Sequence, residues 1–257
     1  MRFIKIFVHS ILAVLLAFAV LSCSGNKEMD DLAKAQQCLD EVPQSEPTQA
    51  DACLTYVEKY TSQQANILKC AIYMTSGGLV ENKVVKAYEA IKDESVQENK
   101  TASFMAILAL DQPNISQGYT KAVAADEFCQ ASGVPGLKYL SGIIVAGSGT
   151  RKVIEAVVGS IDITNPTAVN AAVEAMLDHC AVNPMPNDCK TDISTIGSAV
   201  VTLADSYCAS ENADDKVCTD VNSAVDAAGG VPDNVGKALF CYLDKKTYNS
   251  STGECNP

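Results

Sequence analysis

Tryptophan is absent from the 257 residues, and aromatic residues make up only 6% of the chain. A core without large rings must be assembled from Ala, Val, Ile and Leu, which favours helices that approach one another closely. Histidine is almost as scarce, with His9 and His179 alone. Two histidines on one metal are therefore not expected once the leading segment is removed, and any nucleophile would have to share His179 as its base. HExxH, GxSxG and EF-hand patterns are missing. So are CxxC and CxxxC, which removes tetrahedral zinc spacing and the thioredoxin-type redox motif. The longest uninterrupted apolar run, 11–21, has 11 residues, against the roughly 20 a membrane-spanning helix needs. Basic residues are outnumbered 19 to 31, for a net charge of −12. That surface repels phosphate, so nucleic acid is not an expected partner, and neither is anionic lipid held through a basic patch.

What the chain does hold is cysteine. There are 11, and an odd number in an exported protein requires a separate role for one of them. The other ten, Cys38, Cys53, Cys70, Cys129, Cys180, Cys189, Cys208, Cys218, Cys241 and Cys255, can pair completely. Disulfides in an oxidising compartment explain them best. Ten cysteines allow on the order of a thousand pairings, but loop positions narrow the choice. Cys38 and Cys53 bracket a Pro-rich turn, as do Cys180 and Cys189, and Cys208 and Cys218 bracket a polar loop. Cys241 with Cys255 would tie down the tail, leaving Cys70 with Cys129 as the long-range bridge.

Helical signals run through most of the chain, with almost no strand alternation. Helices are expected over 29–39 and 50–60, over 63–74 with Ser62 as its cap, over 81–92, and over 102–110 closed by Pro113-Asn114. In the second half Asn165-Pro166 opens a helix to Cys180. Thr191 or Asp192 starts the next, and two more cover 214–228 and 234–243. The expected architecture is all-α, a set of antiparallel helical hairpins stapled by disulfides. No fixed internal period recurs, so a true repeat array is not expected. Paired acids at Asp30-Asp31 and Asp214-Asp215 suit solvated helix starts, and His179 suits the cation-favouring last turn of its helix.

Segment 136–159 stands apart. Leu140, Ile143, Ile144 and Val145 alternate with Ser141, Gly142, Ala146, Gly147 and Gly149, and small residues three and four apart let helix backbones touch. Two readings stay open: a buried central helix of the monomer, or a helix packing on its copy or on lipid through Leu140, Gly142, Ile143, Ile144, Ala146 and Gly147. A phosphate loop at Gly147-Ser-Gly-Thr-Arg-Lys152 lacks P-loop spacing.

The amino terminus carries the targeting information. Arg2 and Lys5 precede an apolar stretch over 6–21, the order of a secretory signal peptide. The exit Val20-Leu21-Ser22-Cys23 resembles the bacterial lipobox, which implies cleavage before Cys23 and acylation of Cys23 with palmitate-like chains. That resemblance supplies the role for the eleventh cysteine. By likeness to the enterobacterial sorting rule, Ser24 implies the outer membrane. The resulting layout is 1–22 signal peptide, 23–29 lipidated linker and 30–257 helical disulfide-rich domain, with 30–133 and 134–257 as candidate halves. Loss of Arg2 and Lys5 leaves 17 basic and 31 acidic residues, a net charge of −14.

In overall character the lipobox, the helical disulfide-rich body and the Gly/Ala-rich segment resemble the ring-forming outer-membrane lipoproteins of predatory bacteria, whose helical subunits enclose lipid. The resemblance implies a non-enzymatic homo-oligomer with structural or membrane-organising work in the cell envelope, its membrane lipid held through acylated Cys23. The competing expectation is a periplasmic or surface binding module that holds a protein, peptide or lipid between helices. No catalytic residue, cofactor or metal is expected.

Overall fold

Proline, capping side chains and glycine punctuate the chain into helices at the places the sequence marks. The computed structural model describes residues 27–92, 100–163, 165–180, 182, 185–190, 193–208, 216–244 and 246–256. In chain order the helices are α1 (Lys27–Asp40), a 3-10 segment (Pro47–Cys53) running into α2 (Leu54–Val57), α3 (Gln63–Ser76), α4 (Glu81–Lys92), α5 (Lys100–Leu108), α6 (Ile115–Ala131), α7 (Pro135–Val158) and α8 (Pro166–Cys180). After these come α9 (Asn187–Lys190), α10 (Ile193–Leu203) with a π turn at Ala204–Cys208, α11 (Lys216–Ala228) and α12 (Pro232–Leu243). A small antiparallel ribbon closes the chain, β1 (Thr247–Asn249) on β2 (Glu254–Asn256), with Tyr248 opposite Cys255. The all-α, disulfide-stapled class expected from the sequence is the class observed.

Local chemistry accounts for the boundaries. Ser62 accepts a hydrogen bond from the Ala65 amide at 3.2 Å and starts α3, and Asn165 accepts from the amides of Thr167 and Ala168 at the start of α8. Pro135 and Pro232 occupy the first positions of α7 and α12, where the missing amide hydrogen costs nothing. Gly78, with φ of 98°, reverses the chain after α3, a backbone conformation that other residues rarely adopt.

The sequence reading missed α6 altogether. Asn114 was expected to close a helix, but its side chain accepts from the Gln117 amide at 3.0 Å and opens one. The buried face of α6 is built from small residues, Gly118, Ala122 and Ala125 with Tyr119 and Cys129, so its hydrophobic periodicity is faint.

Helix α7 organises the packing. It runs 24 residues, about 36 Å at 1.5 Å per residue, and every residue from 141 to 151 is buried. A helix buried on all sides belongs to a core, and α5, α6, α8 and α10 surround it. One continuous core runs from Cys70 to Tyr248 and includes Ile107, Ile143, Ile144, Met176, Leu203 and Phe240. Because that core draws on both sides of residue 133 and α7 packs on helices from both, the 133/134 division is not a core boundary. A smaller core joins α1, the 3-10 segment, α2 and one face of α3 through Leu32, Ala35, Val57, Leu68 and Ile72.

All five expected disulfides are present: Cys38–Cys53, Cys70–Cys129, Cys180–Cys189, Cys208–Cys218 and Cys241–Cys255, with Cα separations of 5.1 to 5.6 Å. Four close local loops of 9 to 15 residues. The fifth spans 59 residues and fastens α3 to α6, two helices already packed along their lengths.

Candidate functional site

Of the two readings of segment 136–159, the buried central helix of the monomer is the one observed, and the contact with a second copy or lipid through this segment is not. Gly142, Ile143, Ile144, Ala146 and Gly147 are all buried, and Leu140 is half-buried at the edge of the same core. The physical reason lies in what fills the space beside the glycines. A Cβ placed on Gly147 would stand 2.2 Å from the Met105 carbonyl oxygen, and one on Gly149 2.5 Å from Ile196 Cγ1. These small residues let α5 and α10 of the same chain close onto α7, which leaves no such groove for another subunit. The stretch Gly147-Ser-Gly-Thr-Arg-Lys152 lies inside α7 as regular helix, which also removes the phosphate-loop reading.

Polar groups on α7 are paired inward. The Ser148 hydroxyl accepts from the Leu110 amide at 2.8 Å, anchoring the chain where it leaves α5. Ser141 donates to the Asp126 carboxylate on α6. Most prominent is a row of charges joining three elements. Lys83 of α4, only 5% exposed, places Nζ 2.9 Å from Asp111 Oδ1 and also donates to the Ala109 carbonyl. Arg151 of α7, 6% exposed, places Nη1 3.0 Å from Asp111 Oδ2 and Nη2 3.0 Å from Glu155 Oε1. Each Asp111 oxygen therefore holds one cation. Burial pushes the Lys83 ammonium below its ordinary value, partly opposed by the Asp111 charge. Such a network orients the elements that carry it, since breaking one partner strands a buried charge.

Outside this row opens a shallow cleft of about 230 Å³, lined by Lys83, Asp111, Gln112, Asn82, Lys86 and Ile163 and by Gln44 and Ser45 of the turn before the 3-10 segment. Its chemistry is that of hydrogen bonding and a single cationic rim. Lys83 and Asp111 are committed to each other, so the rest of the lining presents groups that can hold a small polar molecule.

A second ionic cluster locks the amino-terminal helix. Asp31 is buried in α1, and its Oδ2 accepts from Lys59 Nζ at 2.9 Å and Tyr60 OH at 2.8 Å. Those hydrogen bonds hold its carboxyl down to about 2. Asp31 is thus a paired, buried acid and not the solvated helix-start residue expected of it. Asp214-Asp215 lies outside the described residues, as do Cys23 and the rest of the expected signal peptide and lipobox. His179 sits exposed in the last turn of α8, where it was expected.

Sequence reasoning missed the Lys83–Asp111–Arg151 row, because its members are 28 and 40 residues apart and each alone reads as a surface charge. Among the described residues no group of three or more His, Cys, Asp or Glu could hold a metal ion, and no helix among them is long and apolar enough to cross a membrane. No protein-family model matches the chain, and neither does any curated protein or any solved structure.

Proposed function

We propose that this chain is an exported bacterial lipoprotein, acylated at Cys23 and held on the outer membrane, whose helical body does structural or membrane-organising work without catalysing a reaction. One observation carries the reading. Ten of the eleven cysteines are consumed in five disulfides, so the remaining cysteine is Cys23, the residue the lipobox-like exit Val20-Leu21-Ser22-Cys23 marks for lipid. Five disulfides in one small domain also suit an oxidising envelope compartment. Any homo-oligomer must use a surface other than the buried face of α7. A second reading, a binding module, is favoured by the cleft beside Lys83, which suits a small polar ligand or the polar end of a larger one.

Mass spectrometry of the mature amino terminus tests the proposal. The expected species begins at Cys23 and carries acyl chains, and Cys23→Ser should release the body from membranes. An unmodified terminus that starts elsewhere would refute it. Solution mass in detergent then separates the two kinds of work: an assembly of several copies supports the structural role, and a monomer that binds a small polar ligand at the cleft supports the module.

A further inference from the structure

Four chain steps separate Cys23 from Lys27, the first residue of α1. A chain gains at most about 3.6 Å per residue, so an acylated Cys23 stands within about 14 Å of the start of α1. The far end of that leash is rigid. Cys38–Cys53 ties α1 to the 3-10 segment, and Asp31, in the second turn of α1, is held by Lys59 and Tyr60. The acylated residue lies at the headgroup layer, itself about 5 to 8 Å deep on each side of the bilayer. What remains of the leash is less than the roughly 10 to 12 Å diameter of one helix, so no protein layer fits between α1 and the lipid.

From this geometry we infer that the amino-terminal end of α1, carrying Met29 in its first turn, rests directly on the lipid headgroups; the inference relies on Cys23 being acylated. Met29 is 42% exposed, a large apolar side chain on an open surface. Attraction by charge is not the cause, because the mature chain is strongly acidic. The leash imposes the contact, and salt should not relieve it.

The absence of tryptophan makes the test direct. Met29→Trp and Val231→Trp each place a single indole in the acylated protein. Val231 is 51% exposed on the turn between α11 and α12, whose chief neighbours are α10 and the β ribbon. The variants are bound to vesicles of phosphatidylethanolamine and phosphatidylglycerol, with plain or brominated acyl chains, after circular dichroism confirms wild-type helix content. Indole emission at position 29 should fall with brominated lipid at low and high salt, while position 231 is unchanged. Equal emission from vesicle-bound Met29→Trp in both lipids would overturn the inference while leaving acylation intact. A Gly/Ser insertion of about 20 residues after Gly25, giving about 25 Å of added reach, should restore the emission; persistent quenching would overturn the leash as its cause. If the wild type neither floats with vesicles nor carries lipid, the acylation reading fails and this inference falls with it.

Discussion

Three glycines of α7 form a graded experiment on whether that helix is the core of the monomer. Gly136 has nothing within 4 Å of its would-be Cβ, Gly142 meets the Ala199 carbonyl oxygen at 3.4 Å, and Gly147 meets the Met105 carbonyl oxygen at 2.2 Å and its carbon at 2.9 Å. Alanine in place of a mid-helix glycine contributes about 0.5 to 1 kcal/mol through lost unfolded-state freedom. Gly142→Ala should keep that gain, because 3.4 Å is ordinary contact. Gly147→Ala should not. The obstacle is backbone, which cannot rotate aside, so α5 would have to retreat by about 1 Å along its contact with α7, loosening Met105, Ala106 and Ile107. Overpacking of this kind costs about 1 to 3 kcal/mol, occasionally more, which exceeds the helix gain and reverses the sign. With about 2 to 4 °C per kcal/mol for a chain of this size, Gly142→Ala should melt about 1 to 4 °C above wild type. Gly147→Ala should melt several degrees below it, and Gly136→Ala, in the first turn, should lie near wild type. Thermal melts followed by circular dichroism at 222 nm decide the order. A Gly147→Ala protein as stable as Gly142→Ala would mean that α5 does not cross α7 at Met105, and the account of the segment as a tightly closed core would be wrong. Larger residues there, such as Gly147→Leu, should cost folding and not merely assembly.

The disulfides predict that thiol labelling of the denatured, unreduced protein finds none of the ten paired cysteines reactive. Replacing Cys70 and Cys129 together by alanine should cost about 4 kcal/mol and the Cys180 and Cys189 pair about 3, from the closed loops of 59 and 9 residues. Urea unfolding measures both, and the reverse order would contradict loop closure as their main contribution. Asp31, held at about 2 against an ordinary 3.8, binds its proton less readily folded than unfolded. Its stabilisation is therefore full above pH about 4 and is lost as pH falls toward 2. Asp31→Asn should lower stability at neutral pH and flatten the acid limb of a pH-dependent melt, and an unchanged limb would refute the assignment. Removing either cation of the buried row, by Lys83→Ala or Arg151→Ala, should destabilise by about 3 kcal/mol. Adding Asp111→Ala to either should cost less than the sum of the separate changes, and strict additivity in denaturant titrations would show that the three do not act as one network.

Much of the fold was legible in the sequence, because the signals that carried it are local. Ser62, Asn165, Pro232 and Gly78 act within a few residues of themselves, and so they mark where helices begin and end. The disulfide pairing was legible for the same reason: four bridges close short loops across a turn, and the fifth pair was what remained. The π turn that ends α10 and the short ribbon at the carboxyl terminus left no comparable trace, and neither did α6, whose buried face of Gly118, Ala122 and Ala125 is too small to stand out from its exposed one. Tertiary structure alone decided which neighbour the small residues of α7 were made for. A glycine every few residues declares that a backbone will come close, but not whose. Here that backbone is α5 and α10 of the same chain, because Met105 and Ile196 occupy the space at Gly147 and Gly149. It decided equally that Lys83, Asp111 and Arg151 meet, since charges 28 and 40 residues apart carry no local sign of one another until the helices that hold them are packed.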